Sequence, residues 1–218
     1  ASDGAGGQEP VLLSPEDDAR VGAEQAKIAA AEYGIVQDPA LAAYVSAVGQ
    51  RLARNAPGSF TYQFQVVDQS VPNAFALPGG YVFVTRGLLV LVNSEDELAN
   101  VMGHEITHVA ERHAALQQAV AASPTLALPK AVEMAGAGVD LANGQLGESR
   151  QAWLARYGRD QEADADRIGQ RIAAASGWDP QQMGVFLRDL DAEMRLQQGT
   201  PHLPSFLDSH PSDPDRIT

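Results

Sequence analysis

Two histidines and a glutamate within five residues, His104-Glu105-Ile106-Thr107-His108, are the first chemistry this sequence offers. On an α-helix, residues i and i+4 stand one above the other on the same face. His104 and His108 can therefore present imidazole nitrogens to one metal ion, with Glu105 pointing to the side of the pair. This is the two-His, one-Glu core of a zinc hydrolase, in which the glutamate takes a proton from metal-bound water. The same five letters also occur by accident on solvated helix faces, so the flanking sequence has to supply the helix. Ser94-Glu95-Asp96-Glu97 reads as a capping box, with Ser94 as N-cap, Glu97 reaching back from N3, and acids in the positive first turn. Leu98, Met102, Ile106 and Val109 then recur at helical spacing as an apolar stripe, and the two histidines lie on a face beside it.

A zinc site of this kind needs a third protein ligand. An extended metzincin motif would require Gly at 111 and His at 114; Glu111 and Ala114 stand there, which excludes that class. His113 is rotated away from the other two histidines and reads as a favourable charge near the helix C-terminus. Downstream, Glu162 and Asp166 repeat the i, i+4 spacing within Arg159-Asp160-Gln161-Glu162-Ala163-Asp164-Ala165-Asp166-Arg167. Glu162 could complete a His₂Glu set, and Asp166 could accept the free ring N–H of a ligand histidine, His104 in particular. The spacing alone suits an acidic, solvated helix face equally well.

Taken together, these segments resemble a known family. His104-Glu105-x-x-His108 with Glu162-Ala163-Asp164-Ala165-Asp166-Arg167-x-Gly169 is similar to the gluzincin-type zinc endopeptidases of peptidase family forty-eight, which include HtpX, Oma-type proteases, BepA and the CAAX prenyl endopeptidase. The likeness extends to Asn73-Ala74-Phe75-Ala76-Leu77-Pro78-Gly79-Gly80, to Arg86-Gly87-Leu88-Leu89, and to Ser209-His210-Pro211 with Arg216. It implies a catalytic domain binding one Zn²⁺ per chain through His104, His108 and Glu162, with Glu105 as general base and Asp166 orienting a ligand imidazole. It also raises His210, otherwise a lone loop histidine. By resemblance, His210 either takes the fourth zinc position, giving a latent enzyme, or faces the reacting carbonyl and stabilises the oxyanion. Arg216 is a weaker candidate that would hold the same loop, and His202 reads as surface.

Composition bounds the remaining possibilities. With 218 residues, 44% hydrophobic and 20% charged, the chain suits one globular domain with a sizeable core. A net charge of −13 argues against nucleic acid or an anionic membrane as partner. By the resemblance, and not from composition, the expected partner is a peptide or an unfolded or misfolded protein substrate. Zero cysteines exclude disulfides, thiolate zinc sites and cysteine nucleophiles. No apolar run is long enough to span a bilayer. The start, Ala1-Ser2-Asp3-Gly4-Ala5-Gly6-Gly7, reads as the flexible beginning of a processed protein whose signal peptide or anchor has been removed. A periplasmic or secreted location follows from that and from the resemblance.

The elements that must position these residues can be read in turn. Residues 1–13 are expected to be a flexible segment and 14–218 the metallopeptidase domain that the resemblance implies. Ser14-Pro15 starts a helix running to about Tyr33, ahead of Gly34; Asp38-Pro39 opens another, with Leu41, Tyr44, Val45, Val48 and Leu52 inward. Tyr62 to Val67 alternates as a strand, and residues 74–77 and 81–84 flank Pro78-Gly79-Gly80 as a hairpin. An edge strand near Asn73 to Phe75 could pair with extended substrate backbone; plain core strands fit these residues equally well. Residues 115–157 suit loosely packed helices or a lid. Gly177 reads as a C-cap, Asp179-Pro180 opens a helix with Met183, Phe186, Leu187 and Leu190 inward, and the Pro- and Asp-rich tail reads as a loop. The expected fold is α+β and mostly helical, of gluzincin type, with a small sheet packed on the helix that carries the histidines. The alternative reading is a zinc-stabilised binding or chaperone-like domain with little turnover.

Overall fold

The computed structural model describes residues 14–122, 150–196 and 205–210. Among them the protein is α+β and mostly helical, with one three-stranded sheet, as expected. Helix α1 (Pro15–Tyr33) begins where Ser14 Oγ accepts the Asp17 amide hydrogen, and it ends at Gly34. Helix α2 (Pro39–Ala53) is capped by Asp38, whose carboxylate accepts from the amides of Ala40 and Leu41. Val45, Val48 and Leu52 are its buried line. Tyr44 leaves that line: it is 42% exposed and donates its hydroxyl to Glu95 Oε2 at 2.8 Å. A phenol keeps its polar tip satisfied most easily at the rim of a core.

The sheet contains β1 (Gln63–Val67), β2 (Ala74–Leu77) and β3 (Tyr81–Thr85) in the order β1-β3-β2. The expected hairpin forms across Pro78-Gly79-Gly80, with Leu77 opposite Tyr81, while β1 pairs parallel to β3. Beyond β1, Ile35 bridges to Val67, so the outer side of β1 is partly paired. β2 lies at the other edge of the sheet.

Helix α3 (Arg86–Leu91), capped by Thr85, leads into α4 (Glu95–Ala110), which carries both histidines. Ser94 Oγ accepts the Glu97 amide at 3.2 Å. Glu97 reaches one residue further back than a capping box requires and accepts the Asn93 amide at 3.1 Å. Every residue of α4 from Glu97 to Thr107 is buried, which rules out a solvated face. Leu98, Met102, Ile106 and Val109 share one core with Val66, Val84, Phe186, Leu187 and Phe206.

Past α4 the chain reverses at Arg112, in the left-handed region at φ 54°, and α5 (His113–Ala122) begins at once. Helix α6 (Arg150–Ala175) packs along α4, and two glycines set the spacing between them. A Cβ on Gly169 would stand 2.7 Å from the His104 backbone nitrogen, and one on Gly103 would stand 2.8 Å from the Gly169 carbonyl oxygen. The backbones therefore touch directly beside His104, closer than any side chain permits. Gly177, at φ 91°, follows α6, with the Trp178 amide returning to the Ala173 carbonyl. Helix α7 (Gln182–Leu196) starts two residues after Pro180, and Met183, Phe186, Leu187 and Leu190 face inward as expected. Where a loop was expected, Ser205 and Asp208 form a capping box on a single turn, α8 (Phe206–Ser209).

Candidate metal centre

The side chains of the centre come from three separate parts of the chain. α4 supplies His104 and His108, one turn apart, with Nε2 atoms 3.0 Å from each other. α6, held against α4 at the Gly103–Gly169 crossing, supplies Glu162. Its Oε2 is 3.2 Å from His104 Nε2 and its Oε1 is 3.2 Å from His108 Nε2. One turn later on α6, Asp166 Oδ1 lies 2.8 Å from His104 Nδ1. The turn α8 delivers His210, whose Nδ1 is 2.9 Å from Glu162 Oε1 and 3.3 Å from His104 Nε2. His210 Nε2 faces the other way, 3.3 Å from Glu105 Oε1.

The donor set fits a zinc ion. One ligand atom each from His104, His108, Glu162 and His210 lies within 4.8 Å of the others. A tetrahedral ion with zinc–nitrogen distances near 2.0–2.1 Å would space neighbouring ligand atoms at about 3.3 Å. The separations of 3.0, 3.2 and 3.2 Å among the two imidazoles and the Glu162 carboxylate are close to that edge length. Among the described residues, this is the one cluster of three or more His, Asp or Glu side chains that could hold a metal. Burial strengthens the argument, since His104 is 1% exposed and Glu162 5%. Lone pairs brought together out of water require a cation or shared protons.

Without a metal, protons fill that role unevenly. Burial opposes charge on His104, but the Asp166 and Glu162 carboxylates outweigh it and push its pKa up to about 10. Burial takes His108 down to about 3, an effect that Glu162 offsets only in part. For Glu162, burial favours the neutral acid, yet hydrogen bonds to His104, His108 and His210 hold it well below the ordinary carboxylate range. The centre is thus an anionic carboxylate beside one protonated and one neutral imidazole, an arrangement that a divalent cation would replace by displacing a proton.

Sequence reasoning missed three features of this environment. His113 is not a favourable charge at the C-terminus of α4. It is buried, its Nδ1 is 2.9 Å from His108 Nδ1, and burial lowers its pKa to about 4. Extending the α4 helical wheel past residue 110 fails because Arg112 reverses the chain. Phe206 stacks on His210 with ring centroids 4.3 Å apart and also packs on His104. The Gly103–Gly169 contact had a faint signal, since glycine inside a helix costs about 1 kcal/mol relative to alanine and calls for a packing reason. Beside His108, a shallow depression is bounded by Leu77, Pro78, Val109 and the Arg112–Asp18 ion pair. His202, Arg216 and residues 123–149 of the expected lid lie outside the described residues.

The profile of peptidase family M48 matches residues 39–218. A beta-barrel assembly-enhancing protease of Yersinia pestis is 33% identical over 199 residues, covering 84% of this chain and 39% of the relative. The protein of that name from Escherichia coli strain K12 is 31% identical over 192 residues, with the same coverage. The mitochondrial metalloendopeptidase OMA1 of Schizosaccharomyces pombe is 34% identical over 178 residues, covering 80% of this chain and 50% of the relative. The matched region thus spans half or less of the length of these relatives. The chain belongs to peptidase family M48, whose members are zinc-dependent.

Proposed function

We propose that this member of peptidase family M48 is a zinc-dependent endopeptidase domain, extending over residues 14–218, that cleaves peptide bonds in unfolded or misfolded protein chains. The observation that carries the reading is the convergence of His104, His108 and Glu162 from two helices, with Glu105 beside them. These three residues would hold the ion. When bound, zinc supplies Lewis acidity, lowering the pKa of a water molecule to about 7 and polarising a carbonyl oxygen. Glu105, 1% exposed and next in sequence to the first ligand, would serve as the general base, accepting a proton from the attacking water and passing it to the leaving amine. Asp166 would fix the His104 ring by accepting its Nδ1–H, leaving the Nε2 lone pair for the ion. Among the described residues, β2 is an edge strand of the sheet, and in this reading its outer side would pair with an extended substrate backbone.

His210 acts as a plug in this reading. Its Nδ1 joins the three ligand atoms, and its Nε2 meets Glu105, so it stands where water and a substrate carbonyl would approach. Movement of the α8 turn would open the centre. The same observation favours a second reading, a zinc-stabilised binding or chaperone-like domain with little turnover. A periplasmic or secreted location is part of the proposal; among the described residues, no helix is long and apolar enough to cross a membrane.

Incubation with casein, with and without a chelator, separates the two readings. The endopeptidase reading expects internal cleavage that stops on chelation and returns with zinc, and faster cleavage by His210→Ala. Stoichiometric zinc with no cleavage by either protein would leave the binding domain. Slower cleavage by His210→Ala would make His210 an oxyanion partner in place of a plug.

A further inference from the structure

His104 and His108 are both expected to use Nε2 toward the metal, so each has an Nδ1 left to satisfy. For His104 the partner is Asp166. For His108 it is His113, whose Nδ1 lies 2.9 Å away with the two rings at 74° and centroids 5.0 Å apart. Two facing ring nitrogens can form a hydrogen bond only if one carries hydrogen and the other a lone pair. A metal on His108 Nε2 leaves the hydrogen on His108 Nδ1, so His113 Nδ1 must accept and the His113 hydrogen must sit on Nε2.

We propose that His113 is a positioning residue for the metal centre, accepting the Nδ1–H of His108 so that the His108 Nε2 lone pair points at the ion. It does for the second ligand what Asp166 does for the first, but with a neutral acceptor. The two partners come from different helices: Asp166 from α6, and His113 from the first residue of α5. The left-handed turn at Arg112 makes this possible, because it brings the chain back over the end of α4 immediately. Arg112 is itself tied to the buried Asp18 of α1 through Nε to Oδ2 at 2.6 Å, which fixes the turn from the far side. A metal ligand oriented by a hydrogen-bonded partner typically loses about 10–100-fold in metal affinity when that partner is removed.

This inference rests on zinc being held by His104, His108 and Glu162, and the test separates the two. Zinc affinity is measured by chelator competition for the wild type, His113→Phe and His113→Asn, without reference to activity. Phenylalanine keeps the ring and loses the acceptor; asparagine can place an oxygen near the position of Nδ1. The expected result is a loss of about 10–100-fold for phenylalanine and recovery to within a few-fold for asparagine. Equal affinity in all three proteins, or equal loss in both variants, would overturn the role of His113 while leaving the metal site standing. A wild type that binds no zinc would instead overturn the site. Nitrogen-15 NMR of the zinc-loaded wild type gives a reading that needs no variant to fold. His108 should carry hydrogen on Nδ1 and His113 on Nε2, and hydrogen on His108 Nε2 would contradict the proposal.

Discussion

Glu105 and Glu162 are carboxylates in one buried centre, and their neighbours divide the work between them. Glu162 contacts His104, His108 and His210, which keep it ionised and suited to hold a cation. Glu105 is directed instead at His210 Nε2, on the side from which water would enter. Glu105→Gln should keep zinc at one per chain and slow casein cleavage about 100–10,000-fold, the usual contribution of a general base. Unchanged cleavage would remove Glu105 from the reaction. The histidines also predict how the metal-free protein responds to pH. His108 and His113 are held neutral by burial, near 3 and 4 against an ordinary 6.5, so the unfolded chain binds more protons in that window. Stability should therefore fall as pH drops below about 6.5. The raised pKa of His104, about 10, contributes fully below 6.5 and is lost as pH rises toward 10. Denaturant midpoints of the chelated protein across pH should peak near neutrality, and a midpoint still rising between pH 6 and 4 would contradict this assignment.

At the scale of elements, the centre depends on how closely α6 approaches α4. Gly103 and Gly169 remove the side chains that would keep the helices apart, and the atoms that a new Cβ would strike belong to backbone. Gly169→Ala should therefore destabilise the protein by about 1–3 kcal/mol. It should also weaken zinc binding, because Glu162 and Asp166 move with α6. Normal zinc affinity in a folded Gly169→Ala protein would show that the helix spacing is not critical. The sequence made α4 readable because its signals are local: an N-cap at Ser94 and an apolar stripe at helical spacing. Glu162 was different. Its spacing suited a surface as well as a ligand, and family resemblance was needed to favour the ligand. The parallel β1–β3 pairing depends on contacts between distant segments, which no local pattern encodes; the α8 turn did carry a local signal, the Ser205–Asp208 capping box, inside a Pro-rich tail, and His113 is displaced by the left-handed turn at Arg112. Tyr44 failed for a similar reason, since the Glu95 that draws its hydroxyl outward belongs to a different helix.

Over the whole molecule, the ion would tie α4 to α6, two helices separated by a long stretch of chain, and α8 would close over them. Metal binding and folding should then be linked. Zinc at about 1,000 times its dissociation constant would add about 4 kcal/mol, which corresponds to a rise in Tm of about 8–16 °C for a protein of this size. A melting curve unaffected by chelation would mean that these helices hold together without an ion. The acidic balance of the chain, −13, concerns its partners more than its fold, and it argues against nucleic acid as one of them. The most direct test is a zinc-edge anomalous difference map from a crystal of the zinc-loaded protein. The account predicts one peak per chain, bonded to Nε2 of His104, Nε2 of His108 and a carboxylate oxygen of Glu162. No peak there, or a peak bonded to the imidazoles with Glu162 turned away, would contradict it.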